Sequence, residues 1–362
     1  MKGINHMLTS EMIKNAALAA GADICGIGSM DRFEGAPRAM DPRFIFPEAK
    51  SVIGMVFRIP RGVQRGIEEG TQFYQYPSMA YGGINEIFAP AVLYQVGQLI
   101  EDEGYEAFIY RNTGARGSVS DMDGSLGNSL SPEEQIEAMN QAKRKTNHHR
   151  SVQFTRPARP GQEAPDLQFQ FRLAAVACGL GEIGWSKMFL TKDFGPLQRV
   201  AFIFTDAELE PDPLYDGEPL CRRCMACVRE CPGGCLSKDE SIKVSVGGKI
   251  CEWGKLDEWK CYAFYTHGGR KFNPFVPKDV WDKNENGDLD VMEKDNVKAD
   301  EDTVKKVYLA LEKYFPTWVG YNMAKCGGCI RACVSMLEKK GGCMAGRFHE
   351  PLRNGKPWEM DR

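Results

Sequence analysis

The run Cys221-Arg-Arg-Cys224-Met-Ala-Cys227-Val-Arg-Glu-Cys231-Pro232 constrains this chain more than any other stretch. Its spacing, C-x2-C-x2-C-x3-C-P, wraps three thiolates around one [4Fe–4S] cluster and sends the fourth to a second cluster. A second set of thiols is therefore expected, and Cys326-Gly-Gly-Cys329-Ile-Arg-Ala-Cys333 supplies it. Its glycines suit a loop that bends tightly and brings backbone N–H groups near sulfur. One more cysteine completes two sites of four, and Cys261 and Cys251 are the candidates. Four thiolates also hold zinc, but zinc sites usually use two C-x-x-C pairs, and the third C-x2 step with Cys-Pro points to iron and sulfur.

Composition bears on the compartment. Thirteen cysteines could signal a secreted disulfide scaffold, but in a chain of 362 residues with the thiols clustered late a reducing cytoplasm fits better. A formal net charge of -3, with basic residues spread along the chain, gives no reason to expect nucleic acid or an anionic membrane as partner. Residues 1–20 lack a signal pattern and no apolar run approaches a transmembrane helix, so no membrane insertion is expected.

Read in order, residues 10–21 form an amphipathic helix capped by Ser10 and stopped by Gly21. A strand over Asp23 to Ile27 follows, with Cys25 as a small core residue, and the apolar run Ser51 to Ile59 reads as a buried strand. Glu86 to Glu103 reads as a helix closed by Gly104, and Glu106 to Tyr110 as the next strand, an order that indicates an α/β domain. From Thr113 to Gln168 the composition turns to Gly, Ser, Asp, Asn, Arg and Pro, with one capping box at Ser131-Pro132-Glu133-Glu134. The rest of that insertion reads as long loop, a solvated basic loop or a lid carrying His148 and His149.

Gly179-Leu180-Gly181-Glu-Ile-Gly184 satisfies G-x-G-x-x-G, and the strand Arg199 to Thr205 ends at Asp206. A dinucleotide site, NAD or flavin, is one reading, but it requires a strand before the glycines, and residues 172–178 suit helix as well. The glycines would otherwise let backbone approach a large planar cofactor. A β segment, Ile242 to Val246, with a Gly247-Gly248 turn is expected after the cysteine run. Asp282, Asn284, Asn286, Asp288, Asp290 and Glu293 fall at the oxygen positions of a twelve-residue calcium loop with Gly287 at its sixth position, so Ca2+ is a candidate ligand. Pro274 and Pro277 shorten the entering helix, which leaves a lone calcium loop or an acidic turn. A helix over Thr303 to Phe315 follows.

Taken together, these residues resemble the corrinoid-dependent reductases that include reductive dehalogenases and epoxyqueuosine reductases. The likeness rests on Gly179 to Gly184, on Phe189-Leu-Thr-Lys-Asp-Phe194-Gly195-Pro196, on Cys221 to Pro232 and on the late cysteine set. It implies an α+β fold of α/β type: a nitroreductase-like cobalamin domain over 1–212, with the insertion at 113–168, and a ferredoxin-like domain with two [4Fe–4S] clusters over 213–350. A tail, 351–362, ends the chain.

The resemblance implies cobalamin bound with its base off, and the D-x-H-x-x-G pattern that supplies a histidine to cobalamin elsewhere is missing. Gly179, Leu180, Gly181, Gly184, Phe194, Gly195 and Pro196 are then the cofactor-binding candidates. It also implies Cys221, Cys224, Cys227 and Cys333 for the cluster nearer the corrin, and Cys231, Cys261, Cys326 and Cys329 for the other. Cys261 is preferred because residues 260–266 are similar to the family's basic-Cys-x-x-Tyr-x-Thr segment. Cys333 is followed by Val334 where the family usually has proline.

The aspartate that donates the proton in epoxyqueuosine reductases should fall near Pro165, and Asp166 is out of register. In dehalogenases a tyrosine donates, assisted by a basic or amide side chain; Tyr81, Arg111, Asn112, Arg172 and Lys187 are the equivalents expected here, and each is also explicable as an ordinary packed or surface residue. The expected function is a reductase of a small-molecule substrate, fed by a low-potential donor such as a ferredoxin or flavodoxin. An electron-transfer module with no substrate of its own, or a flavin- or NAD-dependent reductase, is the alternative.

Overall fold

The computed structural model describes residues 8–36, 40–65, 75–110, 169–258, 260, 261, 264, 279, 328–339 and 341–352. Arg111, Asn112, the insertion 113–168, Cys326, the acidic loop 282–293 and the helix expected over 303–315 lie outside the described residues.

Helix α1, Ser10–Ala20, is capped one residue before the expected Ser10. Thr9 takes the extended conformation a cap needs, and its Oγ1 accepts from the Met12 N–H at 3.2 Å. Ser10 is already helical, and its hydroxyl donates to the Glu210 carbonyl at 2.8 Å. Gly21 ends the helix at φ 117°, in the left-handed region. Ile13 and Ala17 are fully buried, whereas Met12 and Leu18 remain exposed, so the apolar stripe is narrower than the sequence suggests.

Four strands form the main sheet: β1, Ile24–Ser29; β2, Ser51–Arg58; β3, Ala107–Tyr110; and β6, Gln198–Thr205. Their order is β1-β2-β6-β3, and every pairing is antiparallel. The mixed α and β content expected from the sequence is present, but alternation of helix and strand here does not produce the parallel sheet of an α/β domain. β1 covers more of the chain's turn than expected, reaching Ser29.

β2 is buried from Ser51 to Phe57. Ile53, Met55 and Phe57 face one apolar cluster with α1 and with α2, Ala89–Asp102, while Val52 and Val56 face a second with α3, Phe171–Ala177. A central strand covered on both faces needs apolar side chains at every position, which is why its sequence does not alternate.

The helix expected from Glu86 begins earlier. Tyr76–Phe88 is a π-helix that runs without a capping side chain into α2. Its wider turn, bonded i to i+5, does not produce the 3.6-residue periodicity by which helices are read in sequence, and such turns occur mostly at functional sites.

A short hairpin, β4, Glu182–Ile183, with β5, Phe189–Leu190, follows α3. β7, Leu236–Val246, and β8, Lys249–Leu256, form a longer one. Its turn is Gly247-Gly248 at φ 56° and 81°, as expected, because tight hairpin turns need positive φ. Between them lies α4, Ala226–Arg229, and the last described helix is α5, Gly328–Leu337.

α5 stands where a loop was expected at the late cysteines. Its Ile330 and Val334 enter the cluster that holds Ile13 and Leu93, while Val246 and Trp253 of the long hairpin enter the cluster that holds Phe202. Elements on both sides of residue 212 therefore share apolar cores. Among the described residues no helix is long and apolar enough to cross a membrane.

Candidate functional site

Two groups of thiols flank the short hairpin. In the first, Cys333, carried in by α5, is raised above the usual thiol range by burial and then by Cys221, Cys227 and Cys224, so the four stand within electrostatic reach of one another. Cys227 is pushed up to about 11 by burial, then by Cys221 and Cys224. Thiols that oppose one another's ionisation become stable thiolates when a cationic centre joins them, which is the donor chemistry of an iron–sulfur site. The backbone already serves the sulfur: the Trp185 N–H donates to Cys221 Sγ at 3.3 Å. The Cys221 N–H in turn donates to Glu182 Oε1 at 2.8 Å. Cys224 is the exposed member of the group.

The second group is Cys231, Cys261 and Cys329. Hydrogen bonds from Cys235, with backbone N–H groups of Gly233 and Leu236, pull Cys231 down to about 6 against the effect of burial. The Cys235 N–H lies 3.3 Å from Cys231 Sγ. Cys261 and Cys329 both stand within electrostatic reach of the Arg172 guanidinium. Cys329 also packs against the small apolar cluster of Trp185, Cys227 and Leu236, so the two groups meet at these side chains. Among the described residues no three His, Cys, Asp or Glu side chains stand close enough to hold a single ion.

Cys251, the other candidate for the eighth thiol, faces away from both groups. It sits on β8 opposite Val244, inside the second apolar cluster, and burial pushes it up to about 11. Because the folded state holds this proton more tightly than the unfolded chain, with its ordinary value of 9.0, the contribution is full below about pH 9. Stability should then fall as pH rises to about 11, and Cys251→Ala should remove that part of the alkaline decline in a pH series of thermal melts.

The hairpin spans the distance between the groups. Trp185 touches the first; two residues on, Lys187 closes the turn with its N–H on the Gly184 carbonyl at 2.9 Å and φ 62°, a left-handed conformation uncommon outside glycine. The Lys187 ammonium is buried and paired with Glu258, on the short helical turn that carries Cys261.

Arg172 keeps part of its surface, but its guanidinium end is deep, and burial lowers its pKa while Glu258 opposes the shift. Arg199, the next cation, was not among the sequence candidates. Its guanidinium lies 4.5 Å from the Tyr81 ring centre, donates to the Ala80 carbonyl at 3.0 Å and reaches the Tyr76 hydroxyl at 3.2 Å. Arg172 thus stands within electrostatic reach of Glu258, Arg199, Cys261 and Cys329, Lys187 pairs with Glu258, and Arg199 packs on the Tyr81 ring. The first group has one exposed member, Cys224, and one buried member, Cys227, while Cys261 and Cys329 of the second are half-buried and stand within reach of Arg172.

The glycine run departs from a dinucleotide loop. It follows helix α3 and leads into a hairpin, where the fingerprint needs a strand before and a helix after. A side chain at Gly179 would meet the Pro213 carbonyl oxygen at 2.2 Å, and one at Gly181 the Leu190 carbonyl oxygen at 2.0 Å. These glycines admit the chain's own backbone. Gly184 borders Cys221, whose Sγ would lie 3.5 Å from an added Cβ. Leu180, Phe194 and Pro196 are buried, and Gly195 packs under Leu337 and Met344, which ties the Phe194-Gly195-Pro196 corner to the helix of Cys333.

No family model matches the chain. It is 30% identical over 159 residues to a tetrachloroethene reductive dehalogenase of Desulfitobacterium hafniense, covering 41% of this chain and 27% of that protein. A tetrachloroethene reductive dehalogenase of Dehalobacter restrictus matches with the same identity and coverage. The chain therefore spans about a quarter of the length of these relatives. A solved catabolic reductive dehalogenase superposes on 89% of this chain and 36% of its own, at 15% identity and a TM-score of 0.47. An epoxyqueuosine reductase from Streptococcus thermophilus covers 67% of this chain and 56% of its own, at 15% identity and a TM-score of 0.37. The curated relatives that share a segment with this chain are reductive dehalogenases, the family that its cysteine spacing and its GLGEIG and FGP runs resemble.

Proposed function

We propose that this chain is a cobalamin-dependent iron–sulfur oxidoreductase that reduces a small molecule. The observation that carries the reading is the assembly of distant thiols: Cys333 within reach of Cys221, Cys224 and Cys227, and Cys261 and Cys329 both within reach of the Arg172 guanidinium. In this reading a nitroreductase-like unit over 1–212 holds the corrinoid, and a ferredoxin-like unit over 213–350 holds two [4Fe–4S] clusters, with Cys326 completing the second. Clusters of this kind reach potentials of about −700 mV, low enough to supply the strongly reducing, nucleophilic cobalt that a bound corrinoid would contribute.

The protein's own residues have separate tasks. A low-potential donor, a ferredoxin or flavodoxin in the cytoplasm, delivers electrons on the side of Cys231, Cys261 and Cys329, and the Trp185 hairpin lies between that entry and the group of Cys221, Cys224, Cys227 and Cys333 assigned nearer the corrin. Tyr81 holds the proton given to the reduced substrate, and Arg199 fixes its ring and stabilises the negative charge left on the phenol oxygen. Arg172 and the Lys187–Glu258 pair set the charge around Cys261 and Cys329.

Anaerobic reconstitution with iron, sulfide and cobalamin tests the reading through the visible spectrum. Clusters with a retained corrinoid are expected. Clusters that form without retaining corrinoid would leave an electron-transfer protein, and a flavin spectrum would replace the corrinoid reading altogether.

A further inference from the structure

Among the described residues, two carboxamides have no partner for any of their polar atoms. Asn85 is fully buried, Gln64 is 1% exposed, and neither Nδ2 and Oδ1 of the first nor Nε2 and Oε1 of the second has a hydrogen bond. Leaving a buried donor or acceptor unmade is costly, and folded proteins satisfy the large majority of such groups. The two residues sit on elements that pack together. Gln64 ends the 3-10 turn Arg61–Gln64, which lies against the π-helix, and Asn85 is on that helix four residues after Tyr81. Four positions are close to one turn of an i to i+5 helix, so Asn85 falls near the side that carries Tyr81.

The chemistry of the missing partner is restricted. A cation would satisfy only the two carbonyl oxygens, an anion only the two amide nitrogens, and an organohalide neither. A primary carboxamide meets both at once, through paired N–H···O=C bonds with each side chain. The rim of a corrinoid carries a row of such groups on a rigid ring. Resting on the corrinoid reading above, we infer that Asn85 and Gln64 grip side-chain carboxamides of the corrinoid and select an amidated corrinoid over its carboxylic acid form.

The experiment titrates cluster-loaded, corrinoid-free protein anaerobically with cobinamide and with cobyrinic acid, following the visible spectrum. Wild type should prefer cobinamide. Asn85→Leu and Gln64→Leu should each weaken cobinamide at least about tenfold, equivalent to about 1.4 kcal/mol, and lose the preference. Asn85→Asp, which keeps the shape but replaces the amide by a carboxyl group, should bind cobinamide more weakly.

Without corrinoid, Asn85→Leu should melt at or above the wild-type temperature, since it removes an unsatisfied amide. Unchanged cobinamide affinity in the Leu variants would overturn the inference while leaving the cofactor reading intact, as expected if water alone meets the amides. A fall of several degrees in the corrinoid-free melt of Asn85→Leu would also overturn it, because the amide would then be bonded within the fold. NADH binding that disappears in the same variants would assign the amides to a nicotinamide and overturn it. A wild type that binds neither corrinoid refutes the cofactor reading itself, and the wild-type titration separates that case from the others.

Discussion

Replacing Cys333 with serine should leave the folded protein with about half of the iron and sulfide of wild type after anaerobic reconstitution, with one cluster signal lost by electron paramagnetic resonance. Cys333 reaches the first thiol group from helix α5, far along the chain, and burial keeps competing solvent ligands away from it. Loss of this sulfur opens the group at its buried corner. Ile330 and Val334, which anchor the helix in the first apolar cluster, are untouched, so thermal stability of the unloaded protein should change little. Cys251→Ser is the matched control, since its thiol lies in the second apolar cluster; it should retain full iron. Full iron in Cys333→Ser, or half in Cys251→Ser, would show that the grouping of the thiols is wrong.

Tyr81→Phe should lower turnover by about 10²- to 10⁴-fold, the usual contribution of a positioned general acid, with iron content and corrinoid retention unchanged. The ring stays and keeps its contact with Arg199, so only the transferable proton is removed. Arg199→Gln should give a smaller loss of turnover that Arg199→Lys partly restores, because lysine replaces the charge but not the planar fork that reaches both the Ala80 carbonyl and the Tyr76 hydroxyl. Melting temperatures distinguish this from loosening of the π-helix, which those two hydrogen bonds also brace. Wild-type turnover in Tyr81→Phe would remove the tyrosine from the chemistry.

Much of the molecule was legible before its structure. β2 announced itself as a covered central strand by its unbroken apolar run, and the Gly247-Gly248 turn by its demand for positive φ. The late cysteines were legible as candidate ligands but not as a helix, because α5 owes its place to Ile330 and Val334 joining the apolar cluster of Ile13 and Leu93 and to its contact with α4, segments remote in the chain. The π-helix was hidden because pattern reading assumes a 3.6-residue turn. Arg199 was read only as the start of a strand; its role depends on Tyr81 lying across the sheet edge, which no local signal encodes. The glycine run had the spacing of a dinucleotide loop, yet the carbonyls of Pro213 and Leu190 occupy the space that such a loop would offer to phosphates.

Ligand chemistry was written in the sequence, since the spacing of four cysteines followed by proline restricts which inorganic centre a short loop can wrap. Which thiols come within reach of one another, which stand beside Arg172, that Cys224 opens to solvent, and which amides go unpaired were decided by tertiary packing. These depend on distances between segments remote in the chain, and only burial of their apolar faces brings those segments together.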